Sequence, residues 1–135
     1  MSTRLSPNFW AHEFRCSCGC GDESVSPVLV SLLQSIRDKS GPLKISSGVR
    51  CKASNAKLEG AAKNSWHVPR RGLGHAADVK YASGNSTPGA ILKLYVLADQ
   101  LGARGLGLYS NRIHVDVRTG ARARWVHSSW SWRNT

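Results

Sequence analysis

The sequence lacks any long hydrophobic run. Its longest apolar stretches, at residues 28–33 and 90–101, are short and interrupted, whereas a helix that spans a bilayer needs about 20 consecutive apolar residues. The first four residues are not followed by the apolar core of a signal peptide. These absences predict a protein that is synthesised in the cytoplasm without a signal peptide and that has no transmembrane segment.

The signatures of two common enzyme classes are missing as well. Glycine pairs occur at Gly72-x-Gly74 and Gly105-x-Gly107, but neither has the strand–loop–helix context of a nucleotide-binding loop. The residue order of a Ser-His-Asp triad does not appear, and there is no internal repeat. The sequence therefore gives no reason to expect a nucleotide-dependent enzyme or a serine hydrolase.

Negative charge is scarce. The chain has 8 acidic against 19 basic residues, a formal net charge of +11 and a pI near 10.2. Such an excess favours polyanionic partners, among them nucleic acid, lipopolysaccharide, teichoic acid and the bacterial cell wall, although the same charges also serve solubility. Charge alone does not choose among these partners.

The length of 135 residues suits one domain with a single core. We therefore expect residues 1–135 to form a single domain. Chain-breaking residues and a cysteine cluster mark residues 1–22 as an irregular arm, and residues 126–135 form a basic, aromatic tail.

Capping residues and apolar periodicity predict two main helices. One begins at Ser26-Pro27 and stops at Gly41, and the other begins at Thr87-Pro88 and stops at Gly102. A short helix is expected within residues 51–64. Alternating patterns predict strands at residues 43–47, 75–81, 105–109 and 112–118, with the last two joined as a hairpin.

Three residues form a candidate metal site: His67, Asp78 and His114. A single histidine in a soluble domain is usually a surface residue or a hydrogen-bonded core residue. Asp78, however, enters an apolar strand, where an unpaired carboxylate is costly and a metal ion would offset that cost. His114 lies between Ile113 and Val115, on the polar face of an alternating strand. Two imidazoles and one carboxylate suit hydrolytic zinc, which keeps its fourth position for water.

A series of short motifs surrounds these residues. In chain order they are Asn8-Phe9, Glu13-Phe14, the cysteine run at 16–21, Ser47-Gly48-Val49-Arg50-Cys51, Ser65-x-His67, Gly74-x-Ala76-x-Asp78, Gly105-Leu106-Gly107-Leu108-Tyr109, His114-Val115-Asp116 and the run A-R-A-R-W at 121–125. Together they resemble the M15 zinc peptidases, the D-alanyl-D-alanine carboxypeptidase group of peptidoglycan-cleaving enzymes, and in particular a bacterial and phage branch of it. The resemblance covers nearly the whole chain up to about Trp125.

The resemblance implies a fold and a set of site residues. The fold is α+β, of the Hedgehog and D-alanyl-D-alanine peptidase type. In it a small antiparallel sheet carries the metal ligands on one face and flanking helices cover the other. One catalytic Zn2+ ion would be bound by His67, Asp78 and His114. Arg50 would have both a catalytic and a substrate-binding role, because a guanidinium can hold a substrate carboxylate or a developing oxyanion. Ser65 would bind substrate. Trp66, beside His67, would either line the substrate groove and bind substrate or merely pack.

The resemblance also implies an activity, the hydrolysis of peptide bonds in peptidoglycan stem peptides or cross-links. The enzyme would be a carboxypeptidase or an endopeptidase of endolysin type, released to the wall by a holin or by lysis if a phage encodes it. We expect peptidoglycan as its partner, together with anionic envelope polymers, no specific nucleic acid and a monomeric state. The alternatives are a non-catalytic, metal-stabilised wall-binding or virion protein and a nucleic-acid-binding protein.

The first departure from the family pattern lies between the first two ligands. The usual pattern is H-x-x-G-x-A-x-D, whereas the longer segment 68–73 separates His67 from Gly74. We interpret this segment as a basic insertion at the rim of the site. It leaves His75 as a competing metal ligand.

The second departure concerns the general base. Many family members carry an acidic residue or a histidine shortly before the last ligand, where this chain has Asn111 and Arg112. Asp116 lies two residues after His114 and therefore on the same strand face. It is the candidate for the general base or for the carboxylate that orients His114, and both roles remain open.

The four cysteines are Cys16, Cys18, Cys20 and Cys51. They would bind a structural zinc ion, form disulfides after export or remain reduced. The C-x-C-x-C spacing lacks the C-x-x-C element common in structural zinc sites, which favours reduced thiols or disulfides. The position of Cys51 next to Arg50 predicts that the N-terminal arm docks near this arginine.

Overall fold

The computed structural model describes residues 2–58, 61–62 and 64–133. Its elements, in chain order, are strands β1 (Arg4–Ser6) and β2 (Phe9–Trp10), a short 3-10 helix (Ala11–Phe14), helix α1 (Pro27–Ser40), strand β3 (Leu43–Ser47), helix α2 (Lys52–Lys57), strand β4 (Ala76–Tyr81), helix α3 (Pro88–Gln100), and strands β5 (Gly105–Leu108), β6 (Ile113–Asp116) and β7 (Ala123–Val126). Both main helices and the four predicted strands are confirmed, with small differences at their ends.

Five strands form one mixed sheet in the order β3-β4-β6-β5-β7. Four of them pair antiparallel, and β7 pairs parallel to β5. The α+β class is confirmed. The predicted antiparallel sheet is present in β3, β4, β6 and β5, and β7 adds a parallel strand at its edge, because it runs in the same direction as β5.

Side chains of the sheet alternate between two faces, and one face is apolar. The helices α1 and α3 cover this face. The buried residues there include Ala77, Val79, Leu106, Leu108, Ile113 and Val115 from the sheet, Leu29, Leu33 and Ile36 from α1, and Ile91, Leu94 and Ala98 from α3. The opposite face carries Asp78, His114 and Asp116, and it is free of helices α1 and α3.

The N-terminal arm is more regular than the sequence predicted. Strands β1 and β2 form a hairpin, and the 3-10 helix follows it. Phe9 and Phe14 are buried in the main core, and the Val49 N–H donates to the Phe14 carbonyl at 2.8 Å. A Cβ at position 48 would overlap the Phe14 backbone, so Gly48 permits this close approach. The arm therefore packs against the segment that leads to Arg50.

The predicted tail begins inside β7, which includes Val126. Beyond the strand, the Trp130 indole N–H donates to the Pro88 carbonyl at 3.2 Å, and the Trp130 and Trp132 rings meet edge to face at 5.1 Å. These contacts hold the tail against the start of α3. The last two residues of the predicted tail lie outside the described residues. Across the part of the chain that the structure describes, no helix has the length and apolar character needed to cross a membrane.

Candidate metal centre and its cleft

Asp78 and His114 are directly opposite each other on neighbouring strands. The register of β4 and β6 pairs Asp78 with His114 and Ala76 with Asp116. The neighbours Val79, Ile113 and Val115 point into the core, so alternation directs Asp78 and His114 to the other face. Backbone pairing alone therefore brings these two polar side chains together.

His67 reaches the same place from a loop, not from the sheet as the sequence predicted. The loop is held by its backbone, because the Arg50 N–H donates to the His67 carbonyl at 2.9 Å. The His67 N–H also bonds to the Ser65 hydroxyl at 3.2 Å, which closes the turn before it. His67 is 3% exposed. Its position thus depends on the segment that follows β3.

The three side chains converge on one point. The His67 Nε2 atom lies 3.3 Å from Asp78 Oδ1, and the His114 Nδ1 atom lies 3.5 Å from the same oxygen. One donor atom from each residue lies within 4.8 Å of the other two. The group is buried, and its two imidazoles and one carboxylate could hold a divalent metal ion.

The second nitrogen of each imidazole has its own acceptor. The His67 Nδ1 atom is 2.8 Å from the Gly48 carbonyl oxygen, and the His114 Nε2 atom is 2.6 Å from Asp116 Oδ2. A carbonyl or a carboxylate can only accept, so each of these ring nitrogens must carry the proton. In the neutral rings this leaves unprotonated nitrogens directed at Asp78, which is the state that binds a metal.

Charges in the group depend on one another. Burial by itself would raise the pKa of Asp78, but hydrogen bonds and charge from His114 and His67 hold it well below its usual range. Burial would lower the pKa of His114, but Asp116 and Asp78 raise it above its usual value. Without a metal ion, the two carboxylates therefore favour the protonated form of His114, and a metal ion would compete with that proton.

Asp116 is enclosed. It has no exposed surface, and besides His114 it accepts bonds from the Arg118 guanidinium at 2.7 Å and from the Arg118 backbone N–H at 3.0 Å. Burial would raise the pKa of Asp116, but His114 and Arg118 hold it well below its usual range. A carboxylate held in this way does not reach a substrate proton. The geometry therefore favours the orienting role for Asp116 over that of general base.

Two glycines of β5 make room for the site. Gly105 is opposite Asp116 and Gly107 is opposite His114 in the register of β5 and β6. A Cβ at Gly105 would overlap the Asp116 carboxylate, and one at Gly107 would overlap the Trp125 indole. The alternating glycines thus leave the space that Asp116 and Trp125 fill.

The group lies in an open cleft of about 1180 Å3. Arg50, Ser65 and Trp66, which the sequence analysis assigned to substrate binding, all line it. The Arg50 guanidinium donates to Asn55 Oδ1 at 3.0 Å. Burial lowers the pKa of Arg50, while the charge of Asp78 acts to raise it; a guanidinium stays charged in proteins.

The basic insertion is a tight hairpin. Arg70 and Leu73 exchange both backbone hydrogen bonds, and the turn residues Arg71 and Gly72 both have positive φ, the combination of a type I′ turn. The Arg70 guanidinium stacks over the Trp66 ring at 3.8 Å.

His75 is not part of the converging group. Its ring meets the edge of the Trp66 ring at 5.9 Å. Within the described residues, the structure therefore removes His75 as a competing ligand.

The sequence analysis did not assign a role in the site to several residues of the cleft. Trp125 packs against the His114 ring at 5.0 Å, and Arg112 reaches Asp78 Oδ2 at 3.7 Å and stacks on Tyr109 at 4.4 Å. Arg118 braces Asp116. The sequence placed Arg112 and Arg118 at the ends of the strand predicted at residues 112–118, and Trp125 in the run A-R-A-R-W at 121–125. These positions did not by themselves distinguish site residues from surface residues.

Comparison with known proteins agrees with this site. The sequence profile described as Peptidase M15 matches residues 7–116, a range that contains the converging histidines and aspartate. Neither the curated proteins nor the solved structures gave a match. Since the profile covers most of the chain, the protein belongs to the Peptidase M15 family.

Proposed function

We propose that this protein is a zinc metallopeptidase that hydrolyses peptide bonds in the stem peptides or cross-links of bacterial peptidoglycan. The observation that carries the proposal is the convergence of His67 Nε2, His114 Nδ1 and Asp78 Oδ1, with the outer nitrogen of each ring already bonded to an acceptor. Family membership independently supports peptidase activity.

The donor atoms fit zinc in kind and in spacing. Zinc bonds to nitrogen and oxygen are about 2.0–2.2 Å long, so tetrahedral ligands are separated by about 3.4 Å. The separations of 3.3 and 3.5 Å between Asp78 and the two imidazoles agree with this value. Three protein ligands also leave a fourth position, as in catalytic zinc sites.

Bound zinc would supply a Lewis acid and a water of lowered pKa. The chain's own residues would do the rest. Arg50 lines the cleft, where its guanidinium can hold a substrate carboxylate or the oxyanion of the reacting carbonyl. Asp116 would keep the His114 Nε2 proton in place, and Arg118 would keep Asp116 ionised. Asp116 is thus a positioning residue in this proposal.

The walls of the cleft suit a peptide that carries carboxylates. Arg50, Arg112 and Arg118 line it together with Trp66 and Trp125. Peptidoglycan stem peptides contain free carboxylates, and the net charge of +11 would favour their approach. A carboxypeptidase or an endopeptidase would both use these features, and release by holin or lysis would bring a phage-encoded enzyme to the wall.

Digestion of purified peptidoglycan, followed by mass analysis of the products, tests the proposal. We expect the zinc-loaded protein to release muropeptides, a chelator to stop the release and added zinc to restore it. His114→Ala should be inactive, while His12→Ala, which changes an exposed histidine outside the cleft, should remain active. Activity that survives both the chelator and His114→Ala would refute a metal mechanism.

A non-catalytic wall-binding or virion protein is the second candidate. It is favoured by the enclosure of Asp116 and by Asn111, which stands where many relatives carry an acid or a histidine. In that case, the zinc-loaded wild type would bind peptidoglycan in a pull-down assay and release no muropeptides from it.

A further inference from the structure

The four cysteines form a second cluster outside the His67, Asp78 and His114 group. One sulfur from each of Cys16, Cys18, Cys20 and Cys51 lies within 4.8 Å of the other three. The Cys16 and Cys18 sulfurs are 3.3 Å apart, and those of Cys18 and Cys51 are 3.5 Å apart. All four are free thiols. Residues distant in the sequence thus close into a compact set of four sulfurs.

We propose that Cys16, Cys18, Cys20 and Cys51 bind a structural zinc ion, separate from the metal at His67, Asp78 and His114. Zinc bonds to thiolate sulfur are about 2.3 Å long, so the sulfurs of a tetrahedral site are separated by about 3.8 Å. The two separations given above, 3.3 and 3.5 Å, are slightly shorter than this value. Disulfides would join sulfurs in pairs, whereas one ion explains why all four are mutually close.

The backbone supports thiolates at this position. The Cys51 N–H donates to the Cys16 sulfur at 3.5 Å, and the Ser54 N–H donates to the Cys51 sulfur at 3.4 Å. A thiol releases its proton when it binds zinc, and these two backbone N–H groups stabilise the thiolates that result. The large positive charge of the chain further favours a site with four thiolates.

The cluster would connect the N-terminal arm to the metal site of the cleft. Cys51 directly follows Gly48-Val49-Arg50, where the Gly48 carbonyl accepts from His67 Nδ1 and the Arg50 N–H holds the His67 carbonyl. Cys16, Cys18 and Cys20 belong to the arm. A metal bound by all four would thus fix the segment that positions His67 and Arg50, and the C-x-C-x-C run acquires a role that its spacing alone did not indicate.

Metal analysis of the protein, purified under reducing conditions, tests this inference. We expect close to two zinc ions per chain in the wild type and close to one in Cys20→Ser, which alters an exposed member of the cluster. Ser54→Ala keeps the backbone donor to Cys51 and should retain both ions. His114→Ala should lose the ion at His67, Asp78 and His114 and keep the cysteine-bound ion. The loss of zinc from one site can therefore be measured separately from its loss from the other.

Cobalt substitution of the wild type provides a test that needs no variant. Thiolate ligands give sulfur-to-cobalt charge-transfer absorption in the near ultraviolet, whereas imidazole and carboxylate ligands have no sulfur to contribute. We expect this absorption in the wild type and in His114→Ala, and a strong loss of it in Cys20→Ser. Absence of the absorption in the wild type, or an intact mass lowered by the hydrogens of one or two disulfides in the reduced preparation, would overturn the inference.

Discussion

Gly105 lies directly opposite Asp116, and the Asp116 carboxylate occupies the space where a side chain at position 105 would be. The carboxylate in turn accepts a hydrogen bond from the His114 Nε2–H group. The absence of one methyl group on β5 therefore determines the direction of an imidazole on β6. Strand register, rather than a specialised loop, sets the geometry of this half of the metal site.

Gly105→Ala should disturb both stability and metal binding. The added methyl group overlaps a carboxylate that is enclosed on all sides, and over-packing of this kind costs about 1–3 kcal/mol. We expect a lower free energy of unfolding in urea and weaker zinc binding in a chelator competition. Gly89→Ala is the matched control, because a Cβ there makes only an ordinary contact at 3.8 Å with Trp132. Equal behaviour of the two variants would contradict this account.

Asp116→Asn separates the two roles considered for Asp116. If Asp116 orients His114, the variant should bind zinc ~10–100-fold more weakly, as is typical when the carboxylate behind a metal-binding histidine is lost, and kcat at saturating zinc should change little. A general base would give the reverse result, with unchanged zinc affinity and a fall of ~10²–10⁴-fold in kcat. Asp99→Asn, which breaks the surface ion pair with Arg124, controls for loss of a carboxylate.

The sequence predicted that Asp78 and His114 lie on the same face of the sheet, and the register of β4 and β6 places them there. Asp78 and His114 each stand inside a run of alternating apolar residues, and such alternation fixes which face a side chain occupies. An aspartate inside an apolar strand also requires a partner, which limited the interpretations of Asp78. Both inferences depend only on local pattern, and for that reason they could be made without coordinates.

The loop half of the site depends on contacts that no local pattern contains. The carbonyl that holds His67 belongs to Gly48, which is 19 residues away in the chain. The contact between Arg118 and Asp116 and the parallel pairing of β7 with β5 also follow from tertiary packing. Arg118 is the last residue of the strand predicted at residues 112–118, but only the fold shows that its guanidinium donates to Asp116.

The stability of the metal-free protein should depend on the charge of His114. Asp116 and Asp78 raise the pKa of His114 in the folded state, so its stabilising contribution is fully present below the unfolded value of about 6.5 and is lost as pH rises through the folded value. We expect the difference in unfolding free energy between wild type and His114→Gln to shrink as pH rises above about 6.5. Urea titrations with a chelator and a reductant would measure it.

The same comparison with His12→Gln serves as the control for this pH dependence. His12 is exposed and lies outside the cleft, so this variant shows the effect of replacing a histidine that does not contact Asp78 or Asp116. Using differences between variants also removes the contribution of Cys16, whose lowered pKa acts in the opposite direction over a similar range. A wild-type minus His114→Gln difference that stays constant from pH 5 to 9 would contradict the assigned interaction.

Arg50→Ala should lower kcat/KM while leaving both metal sites filled. Arg50 lines the cleft but is not among the metal-binding groups, and its backbone N–H, which holds His67, survives the change. Loss of an oxyanion donor costs ~10²–10³-fold in kcat, whereas loss of a carboxylate anchor would appear as a higher KM. Arg50→Lys retains the positive charge but cannot form the bidentate hydrogen bonds of a guanidinium, so it should be more active than Arg50→Ala and less active than the wild type.

The control for Arg50 is Lys39→Ala, which removes an exposed positive charge from α1, the helix on the far side of the sheet. It should leave kcat and KM on a defined muropeptide unchanged, because its charge is too remote and too well screened to act on the cleft. If Arg50→Ala behaves like Lys39→Ala, the Arg50 guanidinium does not bind substrate, and the carboxylate or oxyanion must be held by another of the arginines that line the cleft, which are Arg15, Arg112 and Arg118 among the described residues.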